Sequence, residues 1–458
     1  MNMNTDDESI PLPQRIANRD RPRLTAYKSN LDFYGGQQWD RPQRRRPRTL
    51  PQLTFNYAAT LINKLSSYVM AGLTIGVEPL SESPEHIEAA AKAEEVLTQI
   101  SDENNLPRLD FDNEIDTAVL GDGAFKVLWN PNEERVTITA PDMQGLYVWP
   151  HPARFDRARQ IAHTYQLSAA DIRALWNYQP LRDPAQVIED WTDTTLDIWV
   201  DKVRVATSVN PYNAIPIIIY PNLSVPKQWH GISDLEQAKE PAKQINAQLS
   251  RISAILELSG SPITVLENVE QASDIQAEPG AVWDLPEKAK AYLLDLLSGG
   301  GVRLHIDYLE SLLETLYAVT ETPRTAFGST ERDLSGIALQ VQLQPLLQKC
   351  ERKRLIRTDA YKRRALLALQ IYDQHHDTTH ATTGRVTIAW AAPSIYDRAA
   401  EIRNESAQIA AGLSTRKTSM SRLGEHDPDA RYQEALQEAR DWAQVPPAPD
   451  LTKNVPSA

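Results

Sequence analysis

Residues 231–266 read GISDLEQAKEPAKQINAQLSRISAILELSGSPITVL, and the hydrophobic period changes inside them. From Pro241 onward Ala242, Ile245, Leu249, Ile252 and Leu256 recur at alternating steps of three and four. That spacing predicts a helix with one narrow apolar seam, packed nearly parallel to its neighbours. Ser233 and Glu236 have the spacing of a capping box. Pro241 cannot sit unkinked inside a helix, so it is expected at the first position of a new one. Beyond Gly260 the period shortens, and residues 261–296 read as short strands with Pro and Gly turns and more acids than bases. A second helix runs from about Val302, with Ile306, Leu309, Leu313 and Leu316 as its seam, and fades at ETPRT, 321–325. Each helix has too little apolar surface for an isolated fold, so its other flanks are expected to pack against further copies of the chain.

Toward the N-terminus the pattern is mixed. NYAATLINKLSSYVMAG, 56–72, places Leu61, Ile62, Leu65 and Val69 at helical spacing with Gly72 as a stop, and HIEAAAKAEEVLTQISDENN, 86–105, is a second helix. Residues 117–150 read as strands joined by turns at GDG and NPNE, and TTLDIWV, DKVRVAT and NAIPIIIY extend the strands to about 220. The first half is therefore expected to be α+β. Residues 1–50, with RPQRRRPR at 41–48, are too charged and too rich in proline for a core element and are expected to form a solvated arm. Toward the C-terminus TAFGSTERDLSG, 325–336, is a polar loop with two glycines. Residues 335–373 form a long helix, kinked at Pro345 and basic along its second half, and GRVTIAW, 384–390, is a strand. Two amphipathic helices precede a Pro-rich tail.

The formal net charge of −13, from 61 acidic and 48 basic side chains, disfavours a surface built to grip DNA phosphates. No run of eighteen apolar residues is present to span a bilayer. One cysteine, Cys350, excludes an intrachain disulfide, and MNMNTDDESIPLPQR carries no apolar signal core, which together predict a reducing cytoplasm. The 325–336 loop is no P-loop, because Gly336 is followed by Ile337 and Ala338 rather than lysine. GDGAF, 121–125, lacks the third glycine of a dinucleotide loop and reads as a turn. DFDNEID, 110–116, has Ile115 where a calcium loop needs glycine and reads as an acidic helix start. HHDTTH offers His375, His376 and His380, which a loop after a helix supplies as readily as a metal site. No catalytic acid, base or nucleophile stands out, although a dispersed triad stays open. Neither a cofactor nor a metal is expected.

In their order, NYAATLINKLSSYVMAG, LGDGAFKVLW, the 231–266 segment, GAVWDLPEKAKAYLL, the SGIAL after the loop and VTIAWAAPSIYDRAAEI resemble tailed-phage portal proteins, particularly the SPP1-like group. The resemblance implies an α+β portal fold closed as a cyclic homo-oligomer, a dodecamer at one capsid vertex through which double-stranded DNA enters and leaves. It divides the chain into an N-terminal arm, 1–50; an α/β wing, 51–231; stem helices at 232–260 and 302–324; and a small α/β clip, 261–301. A tunnel loop, 325–336, a return to the wing, 337–391, a helical crown, 392–443, and a flexible tail, 444–458, complete the division. Ile245, Leu249, Ile252, Leu309, Leu313 and Leu316 then pack the stem. Phe327, Ser329, Thr330, Glu331, Arg332 and Asp333 of the tunnel loop then touch the DNA. The partners implied are terminase, head-completion or adaptor proteins, and the major capsid and scaffolding proteins. The virion is its destination, reached after assembly in the host cytoplasm, with no membrane and no enzymatic activity. Two other readings are a helical oligomeric scaffold without a DNA channel and an enzyme with a dispersed active site, the loop being its lid.

Overall fold

The computed structural model describes residues 11–39, 52–152, 154–260, 263–267, 290–294, 301–328, 336–391, 398–424 and 428–444. The chain divides into two compact units, residues 1–333 with 341–393 and residues 334–340 with 394–458. The larger unit begins with helices α1 (Leu12–Asn18), α2 (Arg21–Tyr34) and α3 (Tyr57–Val69), strand β1 (Leu73–Pro79), and helices α4 (Pro84–Glu103) and α5 (Leu106–Leu120). Strands β2 (Asp122–Asn130), β3 (Arg135–Thr139), β4 (Leu146–His151) and β5 (Arg154–Leu167) follow, then α6 (Ala169–Trp176) and β6 (Ala185–Thr192), β7 (Thr195–Val200), β8 (Val203–Val209) and β9 (Ile217–Pro221). Two long helices, α7 (Lys239–Gly260) and α8 (Gly301–Thr320), flank the antiparallel pair β10 (Ile263–Glu267) and β11 (Lys290–Leu294). Helix α9 (Gly336–His376), from residue 341 onward, and strand β12 (Gly384–Trp390) complete it.

The strands form antiparallel sheets in the orders β4-β5-β6-β7-β8, β3-β2-β9 and β1-β12. The largest core cluster joins Ala93, Val96, Leu97 and Ile100 of α4 to Phe125, Val127, Val136, Ile138 and Tyr220 of the three-stranded sheet. Ala360, Tyr361, Ala365 and Leu369 put α9 in the same cluster. The buried face of α9 carries Lys349, Lys353, Arg354, Arg357 and Arg364 among its apolar residues, which explains why the helix shows little amphipathic period. The α+β expectation holds, with mixed helices and several sheets.

Three local expectations are corrected. The solvated arm is not one over residues 12–34, because α1 and α2 are packed helices: Leu12 and Ile16 lie on Tyr147, Trp149, Ala162 and Ile188, while Tyr27 and Phe33 enter a second cluster with Ile62, Leu120 and Trp191. The Arg15 and Arg19 guanidiniums lie 4.9 and 4.5 Å from the Trp149 ring centre. Average composition hid these few apolar contacts, most of whose partners are distant in the chain. RPQRRRPR itself lies outside the described residues. Next, α5 continues to Leu120, so residues 117–120 are helical rather than the start of a strand. Gly121 ends the helix at φ 109°, a conformation that suits glycine. Finally, Ser233 and Glu236 form no capping box: the Ser233 hydroxyl donates to Ala118 O and Val119 O at the end of α5, and α7 starts at Lys239 with Pro241 in its first turn.

Beneath α1, Asp190 of β6 is buried and accepts from the Gln160 amide at both oxygens, 2.8 and 2.9 Å. Burial, reinforced by Asp197 on β7, pushes its carboxyl up to about 6 against the Gln160 amide and Arg15. The folded chain therefore holds a proton here that the unfolded chain releases near pH 4, and stability is lost as pH rises toward and through 6. Asp190→Asn is expected to stabilise the protein by about 2 kcal/mol at pH 7.5 and by almost nothing at pH 4. Denaturant midpoints of the two chains at both pH values check this, and equal differences at both would contradict it.

The smaller unit contains α10 (Arg398–Ala410), α11 (Arg416–Arg422) and α12 (Pro428–Gln444). Among its described residues from 402 onward, only Glu405 and Ser419 are buried, and the Ser419 hydroxyl donates to Glu405 at 2.6 Å. Its C-terminal 445–458 segment lies outside the described residues.

Candidate functional site

The two long helices meet over part of the seams expected for them. Ile245 of α7 and Leu316 of α8 are buried together with Leu61 of α3 and Ala238, and Leu249, Leu309, Leu312 and Leu313 pack half-buried against them. Ile252 is half-buried but stands outside this cluster. Higher along the pair the seam opens: Leu256, Leu304, Ile306 and Tyr308 are exposed. Gln248 reaches across to His305 Nδ1 at 2.5 Å.

After α8 the chain makes a short 3-10 turn, Arg324–Phe327, and Gly328 adopts φ 85°. Phe327 is half-buried against the helix pair, its ring 5.8 Å from that of Tyr317. Ser329, Thr330, Glu331, Arg332 and Asp333 lie outside the described residues.

The ends of both helices are tied to α9 by charges that face inward. Lys349 Nζ donates to Thr320 O, the last residue of α8, at 3.0 Å and lies 2.8 Å from Asp234 Oδ1, just ahead of α7. Lys353 pairs with Asp234 at 2.8 Å and with Glu114 of α5 at 3.1 Å. Arg357 grips Glu114 with two bonds of 2.8 and 3.0 Å and donates to Asn222 O at 2.6 Å. Further along, Arg364 pairs with both oxygens of Asp110 beneath the Phe125 and Tyr361 rings. Arg354 donates to Tyr68 O, Val69 O and Ala71 O and so caps the C-terminal end of α3, where a cation suits the helix dipole.

Burial alone would raise the Glu114 and Asp234 carboxyls, yet Arg357 with Lys353, and Lys349 with Lys353, hold them below the usual carboxylate range. Such pairs repay their desolvation only when every donor and acceptor is met. DFDNEID is thus no helix start: it is mid-α5, and Asp110 and Glu114, four positions apart, present one face to the cations of α9. The available signal was this shared four-residue spacing, in Asp110 and Glu114 and again in Lys349, Lys353 and Arg357.

The other motifs take structural roles. A Cβ on Gly123 would lie 2.2 Å from Thr117 Oγ1, so GDGAF is a close helix-to-strand junction. His375 stacks on Trp129 at 4.2 Å and His376 on Tyr372 at 4.0 Å. Among the described residues, no three His, Cys, Asp or Glu side chains converge as metal ligands, and no helix is long and apolar enough to cross a membrane. The most enzyme-like grouping is Lys126, His163, Tyr165, Glu189 and Trp191, between the sheets. Its Glu189 already accepts from Lys126, Tyr165 and Trp191 at 2.6, 2.7 and 2.8 Å, a network closed on itself.

No curated protein matches the chain. A family profile described as phage portal protein, SPP1 Gp6-like, matches residues 14–444, nearly the whole length. With long helices flanking a small strand pair, a mixed α+β body and a helical C-terminal unit, this chain belongs to the SPP1 Gp6-like family of phage portal proteins.

Proposed function

We propose that this portal protein closes into a ring of twelve copies at the capsid vertex and serves as the conduit for packaging and ejecting double-stranded DNA. The observation that supports the ring is the open half of the α7–α8 seam, where Leu256, Leu304, Ile306 and Tyr308 are exposed among the described residues and would be covered by another copy. A contact between different faces of identical subunits gives a cyclic array when its rotation closes and an open filament when it does not. In this reading residues 51–231 with 337–391 are the wing, α7 and α8 the stem, 261–301 the clip that docks terminase and later head-completion proteins, and 392–443 the crown. Capsid and scaffolding proteins surround the ring in the assembling head. The net charge of −13 suits a conduit, because an acidic wall repels phosphates and lets the duplex slide. Phe327, Ser329, Thr330, Glu331, Arg332 and Asp333 meet the moving DNA, with Gly328 as a pivot.

Native mass measurement of the purified chain should give closed rings, and a stable monomer at micromolar concentration would sink the proposal. Glu331→Ala, Arg332→Ala and Asp333→Ala together should leave rings and procapsids normal while DNA per capsid falls. Full genomes packaged at the normal rate would make the loop a passive connector.

A further inference from the structure

The five-stranded sheet ends in β4 on one side and β8 on the other. At β4, Arg19 donates to Val148 O at 3.1 Å and Arg23 to Leu146 O at 2.7 Å, so two arginines occupy carbonyls that a further strand would use. Asn104 closes the edge of β3 in the same way, accepting from Ile138 N at 2.8 Å and donating to Val136 O at 2.9 Å. Glu94 does so for β1, accepting from Val77 N at 3.0 Å. At β8 no such group arrives among the described residues, and Val203, Arg204, Thr207, Ser208 and Val209 are exposed. Asn210 N donates to Thr194 O at 2.9 Å. The alternation of an antiparallel ladder from that bond turns Ser208 toward β7 and the N–H and C=O of Thr207 and Val209 outward. An open row of this kind is a template for another strand.

Helix α1 leads toward this edge. Arg19, at its C-terminal end, is bound to β4, while Leu12 and Ile16 pack across Trp149, Ala162 and Ile188 with Trp199 of β7 beside them. Leu12 lies about 10 Å back along the helix from Arg19, or roughly two strand spacings. The chain therefore enters near β6, with β7 and β8 ahead of it. Residues 1–10, which precede α1 and Pro11, reach about 33 Å when extended, and roughly 10 Å separates β6 from β8. On the way, Trp199 Nε1 and Asp197 Oδ1 are buried with no hydrogen-bond partner among the described residues. At the edge Lys202 and Arg204 are exposed, the latter 3.3 Å from Asp197 Oδ2, and residues 6–8 read Asp-Asp-Glu.

We propose that residues 1–10 dock on β8 of their own chain as a sixth strand of the sheet. The segment passes over β7, where a backbone carbonyl accepts from Trp199 Nε1, and Asp6, Asp7 and Glu8 lie against Lys202 and Arg204. Pairing stops before Pro11 and Pro13, which supply no N–H. The same chain is the occupant because a tethered segment within reach competes at an effective concentration that a separate copy does not match. The N-terminal segment then closes the second edge of the sheet as Arg19 and Arg23 close the first, and it keeps other copies from pairing there edge to edge.

Deuterium exchange at the Thr207 and Val209 amides tests this in the full chain. Both should exchange about ten-fold more slowly than in a chain lacking residues 2–9, with the amides of β7 unchanged. Equal rates in the two chains overturn the proposal, whether the edge is open in both or covered by something else in both. Cross-linking separates the same chain from a second copy. Asp7→Cys with Lys202→Cys, bridged by a bis-maleimide spanning about two strand spacings, should give a link within one chain on a denaturing gel, and buried Cys350 should stay unreacted. Links between chains only, or none, overturn the proposal. If the shortened chain does not fold, Asp6→Lys, Asp7→Lys and Glu8→Lys together should speed the same two amides about five-fold. Unchanged exchange in that variant overturns the proposal.

Discussion

Arg357→Met is expected to lower the unfolding free energy by about 3–5 kcal/mol, the cost of removing one partner from a buried ion pair. The side chain is fully buried, and its guanidinium satisfies Glu114 twice, Asn222 O and Oδ1 at 2.6 and 2.7 Å, and Pro221 O at 3.2 Å. Methionine fills much of the volume but satisfies none of these. Glu114 would keep only Lys353 at 3.1 Å, and two carbonyls at the end of β9 would lose their donor without gaining water. Arg357→Lys is expected to recover only part of the loss, since an ammonium cannot span a carboxylate and a carbonyl with one planar fork. Denaturant midpoints at fixed protein concentration check both, because assembly contributes to apparent stability. A loss below about 1 kcal/mol would mean that water replaces the guanidinium and that the site is less enclosed than its burial implies.

Acidification from pH 7.5 to 4.5 is expected to destabilise the parent chain by about 3 kcal/mol more than His163→Gln. Burial, and then the Lys126 ammonium, push the His163 imidazole down to about 4, despite nearby Glu189. The folded chain therefore keeps this histidine neutral while the unfolded chain takes up a proton near pH 6.5. The unfolded state binds more protons between these values, so stability rises with pH there and is lost as pH falls below about 6.5. Glutamine cannot take that proton, and its curve should be flatter over the same interval. Asp190 slopes in the opposite sense but is present in both chains, so the difference between them isolates His163. Parallel curves would show that His163 is solvated in solution. The prediction concerns the closed network of Lys126, Tyr165, Glu189 and Trp191 and leaves the proposed channel untouched.

Much of the framework was legible because it is local. The seams read from Ala242 to Leu256 and from Ile306 to Leu316 fall on helices α7 and α8, although Leu256 and Ile306 are exposed, and Leu61, Ile62, Leu65 and Val69 are the buried face of α3. TTLDIWV and GRVTIAW are strands as their alternation implied. Strand β5 and helix α6 carried no such signal. In α5, Thr117, Ala118, Val119 and Leu120 are all buried, so no face repeats and the helix was misassigned where it mattered. Periodicity reports a boundary between core and solvent, and a segment without that boundary is silent.

The sequence by itself determined the two long helices on either side of a short strand segment, their narrow seams, the acidic balance and the family. Only the tertiary structure decided where the charges go. Glu114 and Arg357 are 243 positions apart, and nothing in either segment announces the other. On a solvated face the basic run of α9 would contribute almost nothing. Folded inward against α5 and the root of α7, the same residues become buried pairs whose geometry must be met in full. The same holds for Ser233, which reads as half of a capping box but, besides accepting from Leu235 N, donates to the end of α5. Glu321 also reads as an ordinary helix-end glutamate, yet the fold holds it in a left-handed turn against Arg352. A local pattern states what a segment wants to bury, while long-range partners decide which polar groups can be buried with it, because an unpaired charge cannot leave water.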